Sequence, residues 1–297
     1  MIESIARCAR PTAVALTLFV AAPAQIANGD MNGSAAYNSF NGVIPAAWIP
    51  VFGSADLFDA TTTFAGFAWQ PSAGGGPFVH AVGGTFIESI RQIVPGLVPG
   101  VGYSICFEQA IAHPTWATAD GYWQVTFGNQ AFDSATMTIP LPAQSTSWQP
   151  QAIDFTPTAA VQALTFEAHG QGGRADLGLD TVSLKCTGTG PITGPDVIHP
   201  PTTATWSHLP CANSMAIVFI GMPMSPTVMQ GAPFCAPGAC FDCNPMMVLP
   251  PTALGSTASW SLSLPPCVGT YTFCMQWACL TGGCFTTTAS KQFTISC

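Results

Sequence analysis

The sequence predicts an all-β protein, a jelly-roll β-sandwich followed by a smaller disulfide-rich immunoglobulin-like β-sandwich. Three observations carry this expectation. Gly and Pro supply 56 of the 297 residues and are spread along the whole chain, which suits short strands joined by turns better than long helices. Several segments alternate apolar and polar residues with the period of two that a half-buried antiparallel strand requires. The cysteines, finally, are crowded at one end, with nine of the twelve lying between Cys211 and Cys297.

The chain opens with Arg7 and Arg10 ahead of an apolar run, AVALTLFVAA, from Ala13 to Ala22. That run has the length of a signal-peptide core and falls short of the roughly 20 residues needed to span a bilayer. Ala22-Pro23-Ala24 places small residues at the two positions a signal peptidase reads, so residues 1–24 are expected to be removed before Gln25, with Ala27 as a second end. No later segment is long and apolar enough to span. The expected location is secreted and extracellular, the periplasm or cell surface included, with no membrane insertion.

Removing residues 1–24 takes away Arg7, Arg10 and Glu3 and leaves 4 basic and 13 acidic side chains. This balance argues against nucleic acid, which is bound by Lys and Arg displacing counterions, and against anionic membrane surfaces. Only 7% of residues are charged and mean hydropathy is +0.37, so Thr, Ser, Gly, Gln, Asn and Ala must cover the surface. Such a surface suits neutral ligands such as glycans, and equally a plain extracellular β-protein.

A composition break at residues 187–203 (TGTGPITGPDVIHPPTT) reads as a linker between a first half, 25–186, and a second, 204–297. In the first half Tyr103, Ile105 and Phe107 alternate with Ser104, Cys106 and Glu108. Trp123, Val125 and Phe127 alternate with Tyr122, Gln124 and Thr126, and Leu164, Phe166 and Ala168 with Thr165, Glu167 and His169. The second half alternates at Trp260–Leu264, at Tyr271–Trp277 and around Phe293 and Ile295.

Cys235, Cys240 and Cys243 form a C-x4-C-x2-C cluster that matches part of an iron–sulfur or zinc spacing. Export to an oxidising space favours disulfides instead. The candidates are Cys186, Cys211, Cys235, Cys240, Cys243, Cys267, Cys274, Cys279, Cys284 and Cys297, with connectivity left open. Eleven cysteines outside the signal segment is an odd number, and Cys106 is the expected unpaired one.

From Ile26 to Lys185 the order of short motifs resembles the galactose-binding-like jelly rolls, the group that includes several carbohydrate-binding modules and DUF642-type domains. The motifs are Asn28-Gly-Asp30, Ile44-Pro-Ala-Ala-Trp48, the stretch from Ile90-Arg-Gln92 through Pro95-Gly and Tyr103 to Phe107, then Trp148, Phe155-Thr156 and Leu179-Asp180-Thr-Val182. The second half looks only loosely like small β-sandwich domains of secreted bacterial proteins. The resemblance implies a glycan site on a polar sheet face or in rim loops. It also implies a structural calcium ion where the first and last strands meet, with Asn28, Asp30, Asn32 and Asp180 as ligands. Met31 and Asn32 stand where such domains often carry an aromatic residue and Glu, which removes one charge from that shell.

The polar strand positions Glu108, Tyr122, Gln124 and Glu167 are the candidates for hydrogen-bonding a sugar. Trp69, Phe78, His80 and Trp116, in Gly/Pro-rich stretches, are the candidates for stacking on one. Trp48, Trp123 and Trp148 read as core. No G-x-S-x-G, H-E-x-x-H or G-x-x-x-x-G-K-[ST] occurs. Two close carboxylate pairs, Asp56/Asp59 and Asp176/Asp180, and a facing pair Glu108/Glu167 are the residues that acid–base chemistry would need. The expected role is non-catalytic binding of extracellular or cell-surface glycan; the alternative is a structural or adhesive protein with no small-molecule ligand.

Overall fold

The computed structural model describes residues 19–20, 24–32, 39–117, 119–139, 144–188, 192–208, 214–230, 234–235, 239–249, 252–255, 258–266, 269–281 and 284–296. Apart from one 3-10 turn at Phe64–Gly66, every regular element among them is a strand. After β1 (Phe19–Val20) come β2 (Ile49–Phe52), β3 (Asp56–Phe58), β4 (Phe78–Gly83), β5 (Ser89–Val94), β6 (Tyr103–Ala112) and β7 (Asp120–Phe127). β8 (Gln130–Asp133), β9 (Gln149–Phe155), β10 (Gln162–Gln171) and β11 (Ala175–Cys186) complete the first half.

β2 to β11 make two five-stranded antiparallel sheets, β2-β5-β10-β7-β8 and β3-β4-β11-β6-β9. Their inner faces hold one core, to which the alternating residues Tyr103, Ile105 and Phe107, Trp123, Val125 and Phe127, and Leu164, Phe166 and Ala168 all contribute. Contacts across the layers are direct. The Phe107 and Phe166 rings meet edge to face at 5.1 Å, and Trp123 Nε1 on β7 donates to the Gly178 carbonyl on β11 at 3.1 Å. The three alternating segments thus became strands because only that register hides one set of side chains and wets the other.

A second, smaller core lies outside the sandwich and corrects the expected exposure of three residues. Trp69 is 4% exposed, and Phe78 and His80 are fully buried. Phe78 and His80 belong to β4 rather than to a loop. Val79 and Ala81 point into the main core, so Phe78 and His80 point to the other side, where the segment between β3 and β4 folds over them with Phe64, Phe67 and Trp69. Gly178 makes this possible: a Cβ there would stand 2.8 Å from Trp148 and 3.1 Å from Trp69. Gly and Pro shape the turns of this stretch, but its aromatics cluster and close it down.

The second half contains β12 (Val197–Ile198), β13 (Thr202–Ser207), β14 (Met215–Gln230), β15 (Ala239–Val248), β16 (Thr252–Ala253), β17 (Ser259–Leu264), β18 (Thr270–Thr281), β19 (Cys284–Thr287) and β20 (Lys291–Ser296). One sheet runs β14-β18-β20-β12, with β15 and β16 also on β14 and β19 on β18; β13 and β17 form a separate pair. Trp206, Met275, Trp277 and Phe293 fill the core between them. The segment expected as a linker therefore contributes β12, which pairs in parallel with β20.

Three disulfides are described, Cys186–Cys240, Cys235–Cys284 and Cys243–Cys274. Cys279 is also disulfide-bonded, and Cys106 is a free thiol. The C-x4-C-x2-C cluster is thus spent on three separate bridges. Cys211, Cys267 and Cys297 lie outside the described residues. So do residues 1–18 and 21–23 of the expected signal peptide; of the remainder, Phe19 and Val20 pair with Gln230 and Met229 of β14. Among the described residues no helix is long and apolar enough to cross a membrane.

Candidate functional site

The outer face of the β2-β5-β10-β7-β8 sheet brings together three of the residues expected at a glycan site. Strand register does the assembly. Glu167 on β10 lies opposite Ser89 on β5 and Gln124 on β7, and Gln124 lies opposite Asp133 on β8. Four polar side chains therefore form one row across four strands. In the next row Thr165 lies between Arg91 and Thr126. On the other side His169 lies opposite Tyr122, and their rings stack 5.2 Å apart at 10°.

The row is only partly self-satisfied. Gln124 Nε2 donates to Asp133 Oδ1 at 3.2 Å. His169 Nε2 lies 2.9 Å from Glu167 Oε1 but without the angle of a hydrogen bond, and it has no other partner among the described residues. Ser89 Oγ and Arg91 Nε are likewise buried and unpartnered there. Buried polar atoms without partners are few in folded proteins, and here three fall on one face. The arrangement offers carboxylates and an amide to hydroxyl groups and a braced aromatic ring to an apolar surface.

Sequence reasoning misses Ser89, Arg91 and Asp133. Gln92 masks the β5 pattern because it occupies an inward position, where its amide bonds both the N–H and the carbonyl of Ala27. Asp133 ends a strand of only four residues, too short for a period to show.

The remaining candidates go elsewhere. Glu108 projects from β6, on the outer face of the opposite sheet, where it accepts a hydrogen bond from Ala73 N at 3.0 Å. Glu108 and Glu167 thus point away from each other across the sandwich, which overturns the facing pair expected for them. Trp116 is 60% exposed, on the turn before β7.

His80 takes part in a buried charge chain. Its Nε2 lies 2.9 Å from Asp176 Oδ1 and its Nδ1 3.2 Å from Asp56 Oδ2. Asp56 Oδ1 accepts from Asn41 N and Gly42 N at 2.5 and 2.7 Å, and Arg174 grips Asp176 with bonds of 2.6–3.1 Å. Phe58 stacks on the imidazole at 4.2 Å. Asp56 and Asp176 thus act together across strands, not with Asp59 and Asp180 as their spacing suggested. Closed off in this way, His80 cannot reach a sugar.

The leading segment does meet the last strand of the first half, as the resemblance implied. Val182 N donates to Gly29 O at 2.7 Å. Each of the expected calcium ligands also takes part in a hydrogen bond within the protein. Ser72 Oγ donates to Asp180 Oδ2, and Thr181 N to Oδ1 at 2.8 Å. Asn32 Nδ2 donates to Asp30 Oδ2 at 3.1 Å, and Asn28 Nδ2 to the Ala46 carbonyl at 3.1 Å. Burial, with Glu108 and Asp30 nearby, pushes Asp180 up to about 6. A calcium ion wants six to eight oxygens. Among the described residues no group of three or more His, Cys, Asp or Glu side chains is placed to hold a metal.

No family model matches the chain, and no curated protein matches it. Among solved structures it is similar to TmCBM61 in complex with beta-1,4-galactotriose, at 15% identity and a TM-score of 0.32 over 48% of this chain and 89% of that one. It is also similar to a CBM4 module, at 15% identity and a TM-score of 0.29 over 54% and 97%. The K2 cleaved adhesin domain of Lys-gingipain matches at 13% identity and a TM-score of 0.32 over 56% and 96%. The enzymatically active domain of tailspike protein 4 from bacteriophage CBA120 matches at 12% identity and a TM-score of 0.32, and the match spans only 21% of that domain. Likeness of this degree says nothing about what the chain binds.

Proposed function

We propose that the protein is an exported, non-catalytic carbohydrate-binding protein whose first half is a jelly roll of the galactose-binding-like type. Glycan would lie on the outer face of the β2-β5-β10-β7-β8 sheet. The observation that carries this reading is the row Ser89, Glu167, Gln124 and Asp133 beside the Tyr122–His169 stack. Sugar hydroxyls donate and accept, and this row supplies carboxylate acceptors and an amide side by side on one sheet face. Its two carboxylates stand on an open sheet, whereas glycoside hydrolysis places them on either side of the scissile bond. The disulfides support an oxidising compartment.

The test is a glycan array on the secreted protein, repeated with Tyr122→Ala and Glu167→Gln. Both variants should lose binding while keeping the wild-type circular dichroism and melting curve. Undiminished binding by both would place the ligand elsewhere. Failure to bind any glycan would favour the second reading, a structural or adhesive protein without a small ligand. That reading draws on an apolar strip at the free edge of the same sheet, where Ile49, Val51 and Phe52 of β2 are 45%, 47% and 63% exposed.

A further inference from the structure

Between the two halves lies a cleft of about 450 Å³, lined by Ala24, Gln25, Ser183 and Lys185 on one side and by Asp242 and Ser290 on the other. Asp242 is 5% exposed. Its Oδ2 accepts from Cys186 N at 3.3 Å, and Ser290 also hydrogen-bonds the carboxylate, yet Oδ1 is buried with no partner among the described residues. A buried carboxylate oxygen without a donor is unfavourable until one reaches it. Lys185 contributes a favourable field, but it makes no ion pair with Asp242.

The chain's own path brings a cation to this place. Ala24 is fully buried, and its N–H donates to the Pro226 carbonyl of the second half at 2.9 Å. Gly29, four residues beyond Gln25, is held by Val182 N at 2.7 Å. Cleavage after Ala24, the site the sequence marks, would therefore create a new terminus inside the cleft. A free end four residues from a fixed point reaches at most about 14 Å.

We propose that this cleft is the seat of the protein's own processed amino terminus, the α-ammonium of Gln25 being held by Asp242. Export processing then completes the junction between the halves, because the positive charge exists only once residues 1–24 are gone. The ligand is a primary ammonium, a charged donor suited to an unpaired carboxylate oxygen.

The experiment uses secreted protein carrying Gln25→Ala, which cannot cyclise to a pyroglutamyl end, with and without Asp242→Asn. Mass analysis should find a terminus at residue 25; a terminus elsewhere overturns the proposal. Acylation of the α-amine, followed peptide by peptide, should be about tenfold slower with Asp242 intact than in the Asp242→Asn variant, as a rise of one in the amine's pKa would produce. Equal rates overturn it. If Asp242→Asn does not fold, wild-type protein cyclised at Gln25 is compared with Gln25→Ala, both with Asp242 intact. The cyclised form should melt several degrees lower, and an unchanged melt refutes the pairing. Lys185→Gln serves as a control, since slowing that depends on Lys185 alone would also refute it.

Discussion

His80 and Asp176 meet at 2.9 Å, Nε2 to Oδ1, with both side chains wholly shielded from solvent. The other ring nitrogen faces Asp56 at 3.2 Å, so both nitrogens donate and the ring is the imidazolium. Burial works against that charge, but the hydrogen bonds and fields of Asp176 and Asp56 outweigh it and hold His80 above its usual value of 6.5. The chain Asp56–His80–Asp176–Arg174 is neutral overall, which is how a sheet can hide four ionised groups.

The sign of the pH dependence follows. A histidine raised on folding contributes stability that is complete below pH 6.5 and is lost as pH rises through the higher folded value. Melting temperature should therefore fall on the alkaline side in wild-type protein. Asp176→Asn should lower stability by about 3–5 kcal/mol, as breaking a buried pair does. A thermal melt within a degree of wild type for Asp176→Asn would show the chain to be energetically idle.

Asp180 titrates in the opposite environment, among carboxylates. Its rise from 3.8 to about 6 corresponds to roughly 3 kcal/mol. A carboxyl raised on folding contributes stability that is full below its unfolded pKa and disappears as pH climbs through about 6. Asp180→Asn should flatten the melting profile between pH 4 and 7, and EDTA should leave the wild-type melt unmoved. A wild-type melt that drops on chelation and recovers with calcium would instead restore the ion the resemblance implied.

Tryptophan substitutions should separate by burial. Trp123→Ala and Trp69→Ala both empty a core and should cost about 3–5 kcal/mol in denaturant titrations. Trp116→Ala, at an exposed turn, should stay within about 0.5 kcal/mol. A destabilised Trp116→Ala would mean that its ring is covered in solution.

Reduction should act on the second half first. Each bridge there contributes about 2–4 kcal/mol, against a typical total of about 5–15 kcal/mol for a domain. Reductant should unfold residues 203–297 while near-ultraviolet signals from Trp123 persist. Simultaneous loss of both signals would show the halves to be one cooperative unit.

The period of two is enough to find β7, β10, β17 and the first part of β6, because each has a more buried and a more exposed face; β18 alternates in sequence as well, yet Cys274 to Cys279 are buried on both faces. It fails where both faces are dry. β4 is buried throughout, so nothing in its sequence distinguishes the side facing the main core from the side under Trp69 and Phe67. For that reason the sequence alone puts Phe78 and His80 in a loop. The proposed binding face is half legible: Tyr122, Gln124 and Glu167 stand out as polar residues on apolar strands. Their partners Ser89, Arg91 and Asp133 depend on which strands lie side by side, and pairing is a property of topology that no local pattern states.

The bridge from Cys186 to Cys240 ties the last strand of the jelly roll to the second half across 54 residues. Everything between them, including the Gly- and Pro-rich connector, is enclosed in a covalent ring. A protease that nicks the backbone anywhere in that ring leaves two fragments which still travel together and part only in the presence of a thiol. The connector can thus be cut without its two sides coming apart.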